Sequence, residues 1–495
     1  MLNKTNIDLA MTLYKREIIF SFVIYLCIVF LTLFSDISII TKTIFCFSPI
    51  FLLFLLVTCI TKPILLVFGM FLTSRVLYEL INLLNFKIAG SVGTQTALRI
   101  SALAGGIILF FLFISMFFKK LKINNIDVYM LVYFGFWNFT SLVLGIYNGN
   151  HLTYIIGDTF NTFQVWLVFY TVYCLVDKKY SLLVDIWIAY IILGSIAELR
   201  YLFYYLSNLI SGNYIRIGGG NFLLFLISFS LSLSTIGYRR KVCLSGIIIS
   251  FMVLVLSAFR AKWVFAVVGL MVIMYLHNTN FFKSTLKFIK YAVLFCVLFF
   301  TLSYITSFEL INRLKTRVIE ETFSNFNVGV IDASNSIKFW EIIRVLEKIE
   351  KVPSSMIVGF GNGAEFDIGT GSLGYILKKW GKRGKIHNVH NTYIAILFRQ
   401  GLIGLILFLS LIFWFIFKSR KIIKQLHLLT NINTLYSVGV FCFTYLVISI
   451  IALTQDYYLG VYLGLQEWGL IFASIFLISK WVDDGLAQNE LFSFK

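Results

Sequence analysis

Apolar runs of about 17–25 residues recur along the whole chain, and short polar segments separate them. A helix rises about 1.5 Å per residue, so each run is long enough to cross about 30 Å of hydrocarbon. The pattern therefore predicts an all-α polytopic membrane protein with about fourteen transmembrane helices. They are expected near residues 18–35, 43–60, 63–85, 99–118, 126–147, 159–176, 182–210, 220–236, 242–258, 262–276, 288–305, 391–417, 434–453 and 458–479.

The amino-acid composition agrees with this pattern. Hydrophobic residues make up 59% of the 495 residues, charged residues make up 13%, and 52 residues are Phe. Water-soluble domains of this length do not have such a balance, so a soluble enzyme and a disordered tail are excluded. The seven cysteines lie in or beside apolar runs without a CxxC spacing. They indicate small buried hydrophobic residues rather than a disulfide scaffold.

The distribution of positive charge predicts the orientation in the membrane. The formal net charge is +19, which in a soluble protein would suggest a nucleic-acid partner. With a cytoplasmic amino terminus, twenty-one Lys and Arg residues fall in cytoplasmic segments and six fall in the short loops of the other face. Because basic loops are retained in the cytoplasm, both termini are expected there. Topology thus explains the charge, and no nucleic-acid partner is expected.

One long hydrophilic segment, residues 306–390, follows the eleventh predicted helix and lies on the outer face. With this segment, the chain is predicted to have four parts. Helices 1–7 occupy residues 1–213, helices 8–11 occupy 214–305, the large outer loop occupies 306–390, and helices 12–14 occupy 391–495. The large outer loop is the candidate extramembrane domain.

Within the large outer loop, residues 334–351 are predicted to form an amphipathic helix. Its apolar face carries Phe339, Ile342, Ile343, Leu346 and Ile349, and its polar face carries Lys338, Glu341, Arg344, Glu347 and Lys348. Such a helix fits either the membrane surface or the roof of a cavity. The glycine-rich stretch 359–374 that follows indicates tight turns rather than a nucleotide site, because no P-loop lysine follows it.

Cations on the outer face run against the charge bias, and three of the six are singled out: Arg216, Arg260 and Lys262. Arg216 precedes three glycines and Asn221 at the start of the eighth helix, and the other two lie in a short turn between two apolar helices. Backbone N–H groups at a helix amino terminus and the arginine fork both favour phosphate. These cations are therefore candidate anion-binding residues, and contact with lipid headgroups is the alternative.

Two histidines, His387 and His390, lie where the large outer loop re-enters the membrane. A histidine there can act as a general base toward a hydroxyl group, and a solvated side chain is the alternative. The spacing would also suit a metal, but no third ligand has a convincing place in the sequence, so no metal is expected. Arg399 interrupts the apolar helix that follows and needs a charged partner or a polar cavity.

The segment 390–404, with its histidine, glutamine and two glycines, resembles the signature of the O-antigen ligase and O-antigen polymerase superfamily. The Ser-Arg turn at 257–261, the Arg…Gly…Asn stretch at 216–221 and the element at 339–361 resemble the parts that precede the histidine. The resemblance covers about residues 214–415. The chain departs from the pattern at Phe259, after Gly220 and at Ser336, and these departures concern the anion-binding set.

The resemblance implies a GT-C-like, inverting, metal-independent glycosyltransferase of the bacterial inner membrane that uses no cofactor. Its donor and acceptor would be oligosaccharides linked to undecaprenyl pyrophosphate, and His390 would be the catalytic base. The residues expected to bind the pyrophosphate and the rest of the substrate are Arg216, Arg260, Lys262, Asn391, Arg399 and His387.

Within this superfamily a polymerase of repeat units is favoured, because 495 residues and fourteen helices exceed what is typical of the ligases. A ligase that transfers glycan to lipid A core is the alternative, and a protein O-oligosaccharyltransferase is a third relative. A flippase or transporter of lipid-linked oligosaccharides is the rival from another class, although it would not need a large outer loop ending in His-Asn. Membrane lipids, a flippase and a chain-length regulator are the expected partners.

Overall fold

The computed structural model describes residues 130–176, 180–210, 221–257, 260–277, 333–367, 385–387, 389–429, 434–454 and 462–484. These residues are mostly helical. A π-helix, Leu131–Trp137, leads into the first α-helix. The α-helices are α1 (Asn138–Tyr147), α2 (Leu152–Val176), α3 (Tyr180–Ile210), α4 (Phe222–Ser232), α5 (Gly237–Ser257), α6 (Arg260–Leu276), α7 (Ala333–Lys351), α8 (Ser355–Val358), α9 (Thr392–Leu429), α10 (Thr434–Ala452) and α11 (Tyr462–Asp483).

A described helix overlaps each predicted span from the fifth to the tenth and from the twelfth to the fourteenth. Among the described residues, three stretches are long and apolar enough to cross a membrane: Tyr180–Phe203, Thr392–His427 and Thr434–Ala452. The predicted spans 18–35, 43–60, 63–85, 99–118 and 288–305 lie outside the described residues. A helical membrane protein is therefore supported, while the count of fourteen spans and the GT-C-like class stay predictions.

Helix α10 lies in the middle of the described bundle, where it packs against α4, α6, α9 and α11. Its aromatic side chains join neighbouring helices. The Phe441 ring lies 5.1 Å from that of Trp187 on α3, and the Tyr445 ring lies 5.8 Å from that of Phe222 on α4. Large rings bury more apolar area than aliphatic side chains of similar length, so a Phe-rich sequence can fill the interior of this bundle.

The described part of the large outer loop packs onto the first turns of α9. It consists of α7, the short helix α8 and a two-stranded antiparallel pairing of β1 (Phe366–Asp367) with β2 (Lys385–Ile386). One apolar cluster joins these elements to α9. Its buried members are Val345, Ile349, Phe360, Ala364, Phe366, Val389, Ala395 and Phe398. Burial of this cluster holds the amphipathic helix over the start of α9.

Helix α9 is interrupted at Gly401, whose φ of 67° and ψ of −172° are not helical. This region of backbone space is essentially restricted to glycine. In an unbroken helix, the carbonyl groups of Phe398 and Arg399 would accept hydrogen bonds from residues four positions ahead. Here the backbone N–H groups of Phe360 and Gly361 donate to these two carbonyl groups, both at 2.9 Å. The loop 359–363 therefore replaces the helical partners at the break.

The loop 359–363 also packs closely against α1 and α2. Gly359, Gly361 and Gly363 all have φ values near 80°. A methyl group on Gly361 would collide with the backbone of Gly145 on α1, and one on Gly359 would collide with the backbone of Arg399. Glycine is needed here both for its backbone conformation and for the close approach of the chains.

Replacing Gly401 with Ala should lower the thermal stability of the purified protein. The backbone conformation alone should cost about 1–3 kcal/mol, and the added methyl group would collide with the backbone of Ile357. Gly157 on α2 is the matched control, because it has space for a methyl group, and Gly157→Ala should leave the melting temperature unchanged or slightly raised. Thermal unfolding followed by tryptophan fluorescence in detergent gives both values, and equal melting temperatures for the two variants would contradict this view of the break.

Candidate functional site

His390 lies just before α9, at a point where the backbone is held by the end of α10. The Asn391 side chain caps α9 by accepting a hydrogen bond from the Ile394 N–H at 3.1 Å. Asn391 also donates to the carbonyl oxygen of Thr454 at 3.2 Å, and the Thr392 N–H donates to the Leu453 carbonyl oxygen at 2.9 Å. An Asn at this position is a favourable N-cap. Asn391 was predicted to contact substrate, and its observed contacts hold the backbone beside His390.

The imidazole of His390 contacts the carboxylate of Glu341 on α7. Nδ1 of the ring lies 2.9 Å from both carboxylate oxygens, and the His390 backbone N–H donates to Oε2 at 3.0 Å. Only 2% of the Glu341 side chain is exposed, whereas 35% of the His390 side chain is exposed. The carboxylate is thus fully enclosed, while the imidazole is open on one side. The sequence placed Glu341 on the polar face of its helix and did not indicate this contact.

This pairing determines which ring nitrogen can act as a base. When Nδ1 carries the hydrogen and donates it to a carboxylate, the lone pair of the neutral imidazole is on Nε2. A carboxylate in that position also stabilises the imidazolium that forms when Nε2 accepts a proton. The Glu341–His390 pair therefore has the arrangement of a general base with a carboxylate that orients it.

A second polar cluster, formed by Asp158, His387 and Arg399, joins α2, the large outer loop and α9. Arg399 Nε is 3.1 Å from Asp158 Oδ2, and Arg399 Nη2 donates to the His387 carbonyl oxygen at 2.8 Å. His387 Nε2 lies 3.2 Å from Asp158 Oδ1, and its ring stacks on Tyr154 with centroids 4.2 Å apart. Asp158 also accepts from the Gly363 N–H at 2.8 Å.

In the Asp158–His387–Arg399 cluster, Arg399 has the charged partner that the sequence analysis expected. Arg399 and Asp158 are both almost fully buried. A buried charge is tolerated when an opposite charge and hydrogen bonds compensate it. The cluster joins α2, α9 and the loop 359–363. The sequence assigned His387 and Arg399 to substrate binding, and their observed contacts are with the protein itself. A direct contact with substrate stays a prediction for both residues.

Asparagine side chains fix the loop 359–363 to α1, to α2 and to the turn between them. Asn362 donates to Asn138 Oδ1 at 3.0 Å and to Thr159 Oγ1 at 2.8 Å. Asn148 and Asn150 both donate to the Phe360 carbonyl oxygen, at 3.0 and 2.9 Å. These bonds satisfy polar groups that would otherwise be costly to bury, so the loop is held in one conformation.

Lys348 on α7 contacts both the loop 359–363 and α9. Its ammonium group lies over the rings of Phe360 and Phe398, 4.7 and 5.3 Å from their centroids, and donates to the Glu365 carbonyl oxygen. Burial lowers the pKa of Lys348 below its ordinary value, Lys385 lowers it further, and the nearby carboxylates Asp367 and Glu365 oppose the change. Lys348 thus stabilises the contact between α7 and α9 rather than presenting an open cation.

The predicted anion-binding cations are only partly described. Arg216 lies outside the described residues, and Arg260 is the first residue of α6, where its backbone alone is described. Lys262 lies in the first turn of α6 and is half-buried. Their role in binding an anion stays a prediction.

A third polar cluster lies where α3, α4 and α11 meet. Asn221 caps α4 by accepting from the Leu223 N–H at 3.1 Å, and its own N–H donates to Glu198 Oε1 at 3.0 Å. The Asn221 amide donates to the Tyr190 hydroxyl at 3.0 Å, and that hydroxyl donates to Glu467 Oε1 at 2.5 Å. The sequence analysis placed Asn221 at the start of this helix but missed Tyr190 and Glu467, which are far apart in the chain and carry no local motif.

No group of three or more His, Cys, Asp or Glu side chains suited to a metal ion occurs among the described residues. His387 and His390, three positions apart in the HxxH spacing, contact different partners: Asp158 for the first and Glu341 for the second.

Residues 245–409 match the model of a protein family described as O-Antigen ligase. The matched segment contains Glu341, His387, His390, Arg399 and the loop 359–363. This confirms the resemblance to the O-antigen ligase and polymerase superfamily that the sequence motifs indicated. A search of curated proteins found no match to the chain.

Replacing Asp158 with Asn should destabilise the protein strongly, because the change leaves the buried Arg399 guanidinium without its counter-charge. Loss of one partner of a buried ion pair costs about 3–5 kcal/mol. Asp185→Asn is the matched control, since Asp185 pairs with Arg239 in an ion pair whose side chains are 46% and 44% exposed, and such pairs contribute at most about 1 kcal/mol. Thermal unfolding should separate the two variants clearly, and similar small shifts would show that Arg399 does not depend on Asp158.

Proposed function

We propose that this protein is a membrane glycosyltransferase that polymerises oligosaccharide repeat units linked to undecaprenyl pyrophosphate, with His390 as the general base. The observation that carries the proposal is the pairing of a half-exposed His390 with the buried Glu341, within the segment that matches the O-antigen ligase family. A histidine held in this way is prepared to accept a proton from a hydroxyl group.

The proposed reaction is an inverting displacement. The acceptor hydroxyl loses its proton to His390 Nε2, and its oxygen forms a bond to the anomeric carbon of the donor sugar. The bond from that carbon to the pyrophosphate oxygen breaks on the opposite face, and the pyrophosphate keeps the electron pair. Glu341 stabilises the imidazolium that results. Attack and departure on opposite faces invert the anomeric configuration.

The leaving pyrophosphate needs positive charge. Arg216, Arg260 and Lys262 are the candidates, because all three are predicted on the outer face and an arginine fork suits phosphate oxygens. Preorganised cations of this kind stabilise the charge that develops in the transition state, so the reaction proceeds without a metal ion. Asp158 holds Arg399 and His387 in place. These two residues are proposed to support the backbone on which the substrate lies.

The proposed product is a longer lipid-linked glycan, which makes the protein a polymerase. The length of the chain and the predicted number of helices favour this choice. A ligase that transfers glycan to lipid A core is the second candidate, because the description of the matching family names a ligase. Both enzymes would use the same donor group and the same base, so the acceptor alone distinguishes them.

A transfer assay with purified protein tests directly whether His390 is the base. Its substrate is the lipid-linked repeat unit prepared from the organism that makes the protein. His390→Ala should lower the rate of transfer by about 10²–10⁴-fold, and EDTA should not change the wild-type rate. Glu341→Gln should cause a smaller loss, about 10–100-fold, and should move the acidic limb of the rate profile to lower pH, because a neutral amide no longer stabilises the imidazolium.

The control variant for this assay is Glu347→Gln. Glu347 is on the same helix but forms an exposed pair with Arg344, so its loss should leave the rate unchanged. A wild-type rate in His390→Ala would refute the base, and loss of activity in EDTA with recovery in a divalent ion would refute the metal-free reaction.

The lipopolysaccharide that a cell makes with the variant protein distinguishes a polymerase from a ligase. If the protein is a polymerase, His390→Ala in well-expressed protein should leave lipid A core capped with a single repeat unit, because a separate ligase still transfers what the flippase delivers. If the protein is a ligase, the same change should leave bare core and accumulate long glycan on the lipid carrier. Gel electrophoresis of the lipopolysaccharide gives the answer, and an unchanged ladder would contradict both.

A further inference from the structure

Helix α7 exposes a second apolar surface in addition to the one that packs on α9. The side chains of Phe339, Ile343 and Leu346 are 63%, 40% and 46% exposed. At about 100° per residue these three positions fall within about 60° of one another on the helix. They form one stripe, which we call the outer stripe, and Glu350 ends it.

The circumference of α7 divides into three sectors. Glu341, Val345 and Ile349 face the protein, where all three are buried. The outer stripe occupies the next sector. The third sector is polar, with Glu347 and the exposed Lys351. A helix with a protein sector, an apolar sector and a polar sector fits the boundary between protein, lipid and water, where amphipathic helices lie in the plane of the membrane interface.

The neighbouring helix α8 gives the level of this segment relative to the membrane. The backbone of Ile357 in α8 lies directly against Gly401 at the break in α9. At about 1.5 Å per residue, Gly401 is about 25 Å from Lys418, where the basic run of α9 begins. Since the hydrocarbon layer is about 30 Å thick, and the basic run is predicted to mark its cytoplasmic edge, Gly401 and Ile357 lie near the outer edge.

The exposed apolar side chains of α8 continue those of α9 at the same level. Met356 and Ile357 are 52% and 56% exposed, and Leu402, Ile403 and Ile406, which follow the break, are 41%, 37% and 53% exposed. The residues after the break belong to the longest apolar stretch among the described helices, 392–427, whose exposed side chains are expected to face lipid. The surface of α8 is therefore continuous with a lipid-facing surface.

We propose that α7 and α8 form an interfacial element whose outer stripe lies in the outer leaflet of the membrane, with phospholipid as its occupant. Trp340, half-buried beside the stripe and under the guanidinium of Arg344, is a residue type typical of the interface. Because Glu341 is on the protein side of the same helix, lipid contact on one side steadies the carboxylate against His390 on the other. This consequence rests on the proposed function, whereas the lipid contact itself does not.

Photocrosslinking in the full-length protein tests the lipid contact. The photoreactive amino acid p-benzoylphenylalanine is placed at Phe339 in one variant and at Ile343 in a second, and each protein is reconstituted in vesicles of phosphatidylethanolamine and phosphatidylglycerol. The control carries the same group at Lys351, about 120° around the helix from Phe339. After irradiation, mass spectrometry of the peptide containing α7 should show a phospholipid adduct at both test positions, at least five-fold more abundant than at Lys351.

Several outcomes would overturn the proposal. An adduct between the photoreactive group at position 339 and another segment of this chain would mean that the protein covers its own outer stripe. Equal lipid adducts at all three positions would mean unspecific contact. The same irradiation in native membranes should again give phospholipid, and a protein adduct there would assign the stripe to a protein partner. Variants are compared only when they unfold at the wild-type temperature. If one of the two test variants does not fold, the other still tests the proposal. The readout does not use catalysis, so it can succeed where the proposed function fails.

Discussion

The described structure depends on the hydrogen bonds that satisfy the backbone carbonyl groups at the break in α9. A membrane-spanning helix cannot leave backbone carbonyl groups without partners in a low-dielectric environment, because each one would cost several kcal/mol. At Gly401 the chain leaves the helical conformation, and the N–H groups of the loop 359–363 donate to the carbonyl groups that precede the break. The large outer loop is thereby joined to α9 by backbone hydrogen bonds.

The candidate site follows from this junction. The loop brings the Gly363 N–H to Asp158, which in turn holds Arg399 and His387. The apolar cluster above the junction holds α7 against α9, and α7 carries the Glu341 carboxylate to His390. The proposed base and the carboxylate that contacts it are therefore supplied by two different parts of the chain, and the packing of the large outer loop on α9 holds them together.

Much of this was predictable from the sequence. The apolar runs predicted helices that overlap those described. The position of His390 before an apolar helix predicted a base at the outer end, and that role stays a prediction. The amphipathic pattern predicted α7. Hydrophobic periodicity reports which residues are apolar, but it does not report what a polar residue of the same helix will meet. For that reason Glu341 was assigned to the polar face, although it is buried against His390.

The remaining contacts could not be predicted, since they join residues far apart in the chain. Asp158 lies at the edge of a predicted span and is 229 positions from His387, so neither residue indicates the other. His387 and Arg399 were assigned to substrate binding as part of what the resemblance to the superfamily implies. The observed pairing with a buried carboxylate is a tertiary contact, and its signal in the sequence was only that an intramembrane arginine needs a partner.

A structure of the protein with a lipid-linked repeat unit bound as donor and a second as acceptor tests the central claim most directly. The account predicts that the acceptor hydroxyl lies within about 3.2 Å of His390 Nε2, with Glu341 still on Nδ1 and the donor pyrophosphate on the outer side of the membrane. A sugar bound away from His390, or a pyrophosphate at the cytoplasmic end of the helices, would contradict it.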